Sequence, residues 1–254
     1  MTRTFKPFAI VSVVTLMSFV LAPARKMKVW LIGDSTCANK EIKAYPETGW
    51  GMPFKYFFDT TVEVDNRALN GRSTKSFIAE NKWQPVLEKL QEGDYVFIQF
   101  GHNDEVQTKA ASTKPEEFKS YLLRYVTETR SKQANPVLIT PVARRKFDTT
   151  GGIVETHKEY SEIVRTVARE QKVPLIDLDK KSQQVLQQFG PETSKLFFNY
   201  LQPGENPNYP EGRQDDTHFS ELGARRMAEI VLAEVRHLHL DLSNRIVQPE
   251  IKKQ

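Results

Sequence analysis

Cysteine is almost absent from this sequence, which holds a single one, Cys37, among 254 residues. An intrachain disulfide is therefore excluded, and an apolar core must hold the fold together, for which a chain of this length is sufficient. Glycine and proline are also scarce, at 12 and 14 residues, and no repeat or low-complexity tract is visible. These absences leave one α/β domain over residues 25–254 as the expected organisation, with two smaller domains as the alternative.

A strong excess of charge of either sign is missing as well. The chain has 36 basic and 32 acidic residues, for a net charge of +4. Its first 24 residues contain Arg3 and Lys6 and no acidic residue, so the remainder has a net charge of only +2. Such a balance gives no support for nucleic-acid binding, and we expect no nucleic-acid partner.

A long apolar run occurs only near the N-terminus. The basic segment "MTRTFK" is followed by the uncharged "PFAIVSVVTLMSFVLA" and then by small residues, "APA", before Arg25. This order predicts a signal peptide over residues 1–24, and so a secreted or periplasmic protein without stable membrane association after cleavage. The alternative is an uncleaved anchor, because the run approaches the length that spans a bilayer.

Apolar runs of strand type alternate with helical patterns along the rest of the chain. The predicted strands cover residues 27–32, 62–69, 94–100, 136–140 and 173–178. The predicted helices cover about 114–132, 154–171 and 180–189, and a last one follows Ser220. Thr113 and Glu116 form a capping-box pattern at the first of these helices. The alternation predicts a doubly wound α/β sandwich, whose ligands bind beyond the carboxyl ends of the strands.

Residues of catalytic type follow several predicted strands and precede the last helix. Ser35 comes directly after the first strand, within "GDST", and His218 lies in "DDTH" before the last helix. A serine nucleophile needs a base, and the base needs a group that orients it. His218 is the candidate base, and Asp215 is the candidate acid because its spacing lets the carboxylate fold back onto the imidazole. Asp216 is the competing assignment.

An acyl-transfer site also needs hydrogen-bond donors for the developing oxyanion. The backbone N–H groups of Ser35 and Gly71 and the side-chain amide of Asn103 are the candidates. A thiol nucleophile at Cys37 is an alternative, although a lone cysteine is more often a buried packing residue. A metal site is another alternative, and its candidate ligands are His102, Asp104, Asp215 and His218.

Four blocks carry a family resemblance. They are "GDST" (33–36), "NGRS" (70–73), "GHND" (101–104) and "DDTH" (215–218). In this order they make the chain resemble the SGNH, or GDSL-type, hydrolases. The segments "GWG" (49–51), "QFGHND", "DTHF" and "PVARRKFD" (141–148) resemble the rhamnogalacturonan acetylesterase branch of that superfamily.

The resemblance implies a three-layer α/β/α sandwich with a five-stranded parallel sheet. It implies that Ser35 is the nucleophile, His218 the base and Asp215 the orienting acid, with the N–H groups of Ser35 and Gly71 and the amide of Asn103 as the oxyanion hole. The implied activity is removal of acetyl esters from a pectin-type polysaccharide, with no metal and no other cofactor.

Substrate-binding candidates are chosen by charge and by aromatic character. One of Arg144 and Arg145 could pair with a carboxylate of an acetylated acidic polysaccharide, since arginine binds carboxylates through two parallel bonds. The alternative is that both are solvated charges on a loop. Arg72 is a further candidate substrate-binding residue. Trp50, with Tyr200 and Tyr209, could form an aromatic sugar platform. Rival functions are a lipase, lysophospholipase, thioesterase or xylan acetylesterase of the same superfamily, a catalytically silent carbohydrate-binding domain, and a metal-dependent phosphoesterase.

Overall fold

The central sheet is formed by five apolar runs of the sequence. The computed structural model describes residues 25–248, and within them five parallel strands lie in the order β2-β1-β3-β4-β5. The strands are β1 (Met27–Gly33), β2 (Val62–Asn66), β3 (Tyr95–Gln99), β4 (Asn135–Ile139) and β5 (Leu175–Ile176). The predicted five-stranded parallel sheet is confirmed, although β5 is much shorter than the predicted run 173–178.

Both faces of the sheet are buried under helices. Successive side chains of a strand point to opposite faces, so each strand contributes to both packed layers. In β1, Val29 and Leu31 pack on one face, whereas Trp30 and Ile32 pack on the other. The first face is covered by α1 (Gly51–Phe54), α6 (Leu178–Thr193) and α7 (Glu221–His237). The second face is covered by α2 (Thr74–Ala79), α3 (Gln84–Lys89), α4 (Pro115–Ser131) and α5 (Lys158–Gln171). The predicted three-layer sandwich is thereby confirmed.

The start of α4 differs by one residue from the predicted capping box. Lys114, not Thr113, is the N-cap residue, and its backbone N–H donates to the carboxylate of Glu117 rather than of Glu116 (2.9 Å). Thr113 is buried and donates its hydroxyl to Asp104 instead (3.1 Å). A threonine that reads as a helix cap in the sequence therefore anchors the "GHND" loop.

The start of each later helix is set by hydrogen bonds of the residues at or just before it. Helix α5 begins at Lys158 rather than near 154, because the Val154 N–H donates to the Lys146 carbonyl (2.8 Å). Helix α6 begins at Leu178, where the carboxylate of Asp177 caps it. As predicted, α7 follows Ser220, whose hydroxyl accepts the Gly223 N–H.

A second, two-stranded sheet lies between α6 and α7, where the sequence predicts no strand. Strands β6 (Phe198–Leu201) and β7 (Arg213–Phe219) pair antiparallel. The pairing was not visible in the sequence because β7, "RQDDTHF", is too polar to read as a strand. Its consequence is that "DDTH" sits on a hydrogen-bonded strand.

The N-terminal predictions lie outside the described part of the chain. The predicted signal peptide covers residues 1–24, so its cleavage, the secreted or periplasmic location and the extent of the domain over 25–254 stay predictions. Among residues 25–248, no helix is both long and apolar enough to cross a membrane.

Candidate active site

Ser35 lies in a tight turn directly after β1, and hydrogen bonds fix the shape of this turn. The buried carboxylate of Asp34 accepts both the N–H (3.0 Å) and the hydroxyl (2.8 Å) of Thr36. Burial raises the pKa of Asp34, and these two bonds oppose the rise. Gln99, at the end of β3, donates to the Thr36 hydroxyl oxygen (2.8 Å) and ties the turn to the centre of the sheet. The Ser35 side chain is therefore presented from a rigid support.

The "GWG" segment forms hydrogen bonds that stabilise the same turn. The Trp50 N–H donates to the Thr36 carbonyl (2.9 Å), and the Trp50 indole N–H donates to Gln99 (2.6 Å). A Cβ atom on Gly49 would lie 2.0 Å from the Ala38 carbonyl oxygen, so only glycine permits this close approach. Trp50 is fully buried, and the prediction that it forms a substrate platform is wrong. Its indole packs under the site rather than facing a ligand.

Strand β7 brings His218 to Ser35 from the far end of the chain. The Nε2 atom of His218 lies 2.9 Å from Oγ of Ser35. Its Nδ1 atom lies 2.9 Å from Oδ2 of Asp215. The other oxygen of Asp215 accepts the backbone N–H groups of Thr217 (2.8 Å) and His218 (2.9 Å). The three side chains thus form one continuous chain of hydrogen bonds.

Asp215, not Asp216, is the carboxylate that contacts the imidazole. Asp216 points to the other side of β7, where it pairs with Arg145 (2.6 Å) and accepts the Tyr200 hydroxyl (2.7 Å). Burial alone would raise the pKa of Asp215, but the bonds from His218 and Arg213 outweigh it and hold this pKa well below its usual range. Asp215 is therefore ionised over the whole pH range in which an imidazole works as a base.

Three candidate oxyanion donors line the same cavity as Ser35 and His218. Gly71 adopts a left-handed conformation (φ 75°), which a side chain would strain. Within residues 25–248, the backbone N–H groups of Ser35 and Gly71 have no hydrogen-bond acceptor. Asn103 uses one amide hydrogen on the Arg72 carbonyl (3.0 Å), which leaves the second free. Free donors from all three residues are therefore available beside one cavity.

The cavity is polar and has a volume of about 370 Å³. Eleven residues line it: Ser35, Glu47, Asn70, Gly71, His102, Asn103, Lys109, Arg144, Asp215, Thr217 and His218. None of these described lining residues has an aliphatic or purely hydrocarbon aromatic side chain. Burial lowers the pKa of His102 well below its usual value, so this imidazole is neutral. The cavity suits a small polar group rather than an acyl chain.

The three predicted substrate-binding arginines have different positions. Arg144 lines the cavity and donates to the Thr217 hydroxyl (2.6 Å). Arg72 turns away and pairs with Glu80 (2.8 Å). Arg145 is largely buried and holds Asp216. Neither Arg72 nor Arg145 lines this cavity, so a role for either in binding the polymer outside it stays a prediction.

Tyr200 and Tyr209, the other proposed platform residues, are also engaged elsewhere. The Tyr200 hydroxyl donates to Asp216, and the Tyr209 hydroxyl donates to the Ala44 carbonyl (2.9 Å). Neither lines the cavity. With Trp50 buried, the structure does not bring the three aromatic residues together as a sugar platform.

The two alternative chemistries do not fit the geometry. Cys37 is buried, and burial raises the pKa of its thiol well above the usual value, so the prediction of a packing role is confirmed. Asp104 directs its carboxylate at Thr74 and Thr113, away from the cavity. Within residues 25–248, no three histidine, cysteine or acidic side chains are placed to hold a metal ion. The four candidate ligands therefore do not converge.

Two cavity residues that lie outside the four blocks were missed by sequence reasoning. Lys109 follows "GHND" by five positions and belongs to no motif, and its Nζ donates to Oδ1 of Asn103 (2.9 Å). Glu47 lies two residues before Gly49 and pairs with Lys40 (2.7 Å). Their closeness in sequence to a motif was the one available signal for either residue. No local pattern predicts that a side chain reaches across a loop into the site.

Comparison with known proteins places these features in a family. A family model described as GDSL-like Lipase/Acylhydrolase matches residues 31–226. The rhamnogalacturonan acetylesterase RhgT of Bacillus subtilis is 41% identical over 230 residues, which cover 90% of this chain and 98% of RhgT. The probable rhamnogalacturonan acetylesterase YesY of the same organism is 33% identical over 231 residues, which cover 87% of this chain and 97% of YesY. The crystal structure of B. subtilis YxiM aligns with a TM-score of 0.74 at 25% identity, over 86% of this chain and 58% of YxiM.

Proposed function

The chain belongs to the GDSL-like lipase/acylhydrolase family and is a carboxylic ester hydrolase, and we propose that it removes acetyl groups from a rhamnogalacturonan-type polysaccharide by serine catalysis. The observation that carries the proposal is the hydrogen-bonded chain from Ser35 through His218 to Asp215 in a small polar cavity. The similarity to RhgT and YesY supports the acetyl ester and the type of polymer.

The first half-reaction forms an acetyl-enzyme. Oγ of Ser35 attacks the acetyl carbonyl carbon while Nε2 of His218 takes its proton. Asp215 holds the Nδ1–H and stabilises the imidazolium that results. The carbonyl oxygen becomes an oxyanion, which accepts bonds from the N–H groups of Ser35 and Gly71 and from Asn103. The C–O bond to the sugar then breaks, and the leaving sugar oxygen takes the proton from Nε2.

The second half-reaction returns the free enzyme. A water molecule takes the place of the sugar, and Nε2 of His218 removes its proton as it attacks the acetyl carbonyl. The same donors stabilise the second oxyanion. The bond to Oγ of Ser35 then breaks, the serine regains its proton from Nε2, and acetate leaves.

The lining of the cavity favours an acetyl ester over a long acyl chain. A lipase or lysophospholipase must bury an apolar chain, and each buried CH₂ group contributes about 0.8 kcal/mol only against apolar walls. The walls here are polar or charged. Short polar esters are therefore the substrates that this cavity accommodates best.

Arg144 is the residue that we propose binds an acidic polymer, since it lines the cavity. We expect Arg144→Ala to raise KM for an acetylated uronate-containing polymer by about tenfold, equivalent to about 1.4 kcal/mol, and KM for the neutral 4-nitrophenyl acetate by less than about twofold. Steady-state kinetics on both substrates measure the difference. Arg145→Ala is the matched control, because Arg145 does not line the cavity, and its two KM values should change equally. Equal losses on both substrates in Arg144→Ala would contradict the role of Arg144.

Acetate release from a panel of acetylated polymers tests the proposed substrate. We expect release from acetylated rhamnogalacturonan to exceed release from acetylated homogalacturonan and xylan. A preference for xylan would make the chain a xylan acetylesterase instead. Binding without any release, together with a Ser35 that does not react with a serine-directed phosphonate, would favour a catalytically silent binding domain.

A further inference from the structure

Asn103 is held at both ends of its side-chain amide. Its Nδ2 atom donates one hydrogen to the Arg72 carbonyl (3.0 Å), and its Oδ1 atom accepts from Nζ of Lys109 (2.9 Å). If the amide were flipped, its NH₂ would face the Lys109 ammonium and its oxygen would face the carbonyl. Both contacts would be repulsive, so the two partners permit a single orientation. In that orientation the second Nδ2 hydrogen remains available to the cavity.

Lys109 lies in a short turn whose hydrogen bonds hold it next to Asn103. Its N–H donates to the Val106 carbonyl (2.9 Å), and its carbonyl accepts the Ser112 N–H (3.0 Å). The turn is tied down where Gln107 donates to the Thr113 carbonyl (3.0 Å). Among residues 25–248, the Lys109 ammonium takes part in no ion pair, and the one acceptor that it contacts is Oδ1 of Asn103. Its charge is thus directed at the amide.

We propose that Lys109 is a positioning residue that both orients and polarises the Asn103 amide. The positive charge of the Lys109 ammonium, 2.9 Å from Oδ1, draws electron density from the amide. The free Nδ2–H therefore becomes a stronger donor, because hydrogen bonds in a chain polarise one another. The oxyanion gains more from this than the uncharged ester carbonyl does, so the effect falls on kcat rather than on KM. This inference rests on the oxyanion hole of the proposed function.

Kinetics on neutral 4-nitrophenyl acetate test this role, because that ester has no carboxylate that lysine could bind. We expect Lys109→Met to lower kcat about tenfold, a part of the 10²- to 10³-fold that one oxyanion donor is typically worth, with KM changed less than about twofold. An oxyanion forms in both half-reactions, so kcat falls whichever limits the rate. Lys109→Arg, which keeps the charge, should recover most of the loss. Lys146→Met, an exposed lysine outside the cavity, should match the wild type.

A double-mutant cycle shows whether Lys109 acts through Asn103. In an Asn103→Ala background, Lys109→Met should lower kcat by less than about twofold, because the amide it polarises is gone. A full tenfold loss in that background would overturn the inference, and so would an unchanged kcat in the single variant. A rise of KM confined to an acidic polymer would overturn it too, by making Lys109 a substrate-binding residue. None of these outcomes bears on the proposed polymer, which acetate release by the wild type decides separately.

Discussion

Ser35→Ala is expected to lower kcat for acetyl ester hydrolysis by at least about 10⁴-fold, because it removes the oxygen atom that we propose forms the acetyl-enzyme. Loss of the nucleophile in a serine triad removes the covalent pathway. It leaves only the smaller rate enhancement that the oxyanion hole and substrate binding provide. The Ser35 hydroxyl lies 2.9 Å from the base and beside N–H donors that are unpaired within the described residues, so it is the group that this arrangement activates. Initial rates of acetate release measure the loss.

Cys37→Ala is the matched control for this experiment. Cys37 lies two positions further along the same turn but is buried, with its thiol in the core. We expect Cys37→Ala to keep kcat within about threefold of the wild type, at a cost in stability of about 1 kcal/mol for the lost atom. A serine-directed phosphonate should label the wild type at Ser35 and leave Ser35→Ala unlabelled. Full esterase activity in Ser35→Ala would refute the mechanism.

Asp215→Asn is expected to lower kcat by about 10⁴-fold while the fold is retained. A neutral amide cannot stabilise the imidazolium, and its NH₂ group favours the wrong tautomer of His218, with the proton on Nε2 facing Ser35. The effect should fall on kcat more than on KM, since Asp215 acts on the base and not on the bound ester. Steady-state kinetics measure both quantities.

Asp216→Asn is the control that separates the two adjacent carboxylates. Asp216 faces Arg145 and Tyr200 on the opposite side of β7, so we expect its kcat to change by less than about threefold. A loss in Asp216→Asn that equals the loss in Asp215→Asn would contradict the assignment, because the role of Asp215 depends on its direct contact with the imidazole.

Because the pKa of Asp215 is low, the effect of Asp215→Asn on the free energy of unfolding should depend on pH. The folded state holds this carboxylate ionised below the pH at which the unfolded chain protonates it, so its contribution to stability is present above about pH 4. That contribution is lost as the pH falls further. Urea unfolding of wild type and Asp215→Asn should therefore show a gap in free energy that shrinks by about 1 kcal/mol from pH 5 to pH 3. A gap that widens over this range would contradict the pKa shift.

The sequence alone determined the central α/β/α sandwich and the four blocks of the site, but not the β6–β7 sheet. Apolar runs alternating with helical stripes are local patterns, and they specify strands buried on both faces whatever their partners are. The carboxyl ends of parallel strands meet at one edge, so Ser35 and Asn103 could be placed together without coordinates. His218 and Asp215 followed because their spacing is short enough for contact within one segment.

Only the tertiary structure decided which side chains face the cavity. Trp50 reads as an exposed platform but is buried, because Gly49 lets its backbone pack against Ala38. Arg144 and Arg145 are adjacent in sequence, yet only Arg144 lines the cavity. The contact of Lys109 with Asn103 depends on how a turn outside every motif is anchored. Composition and periodicity describe a segment by itself, whereas the direction of a side chain is set by the distant segments that pack against it.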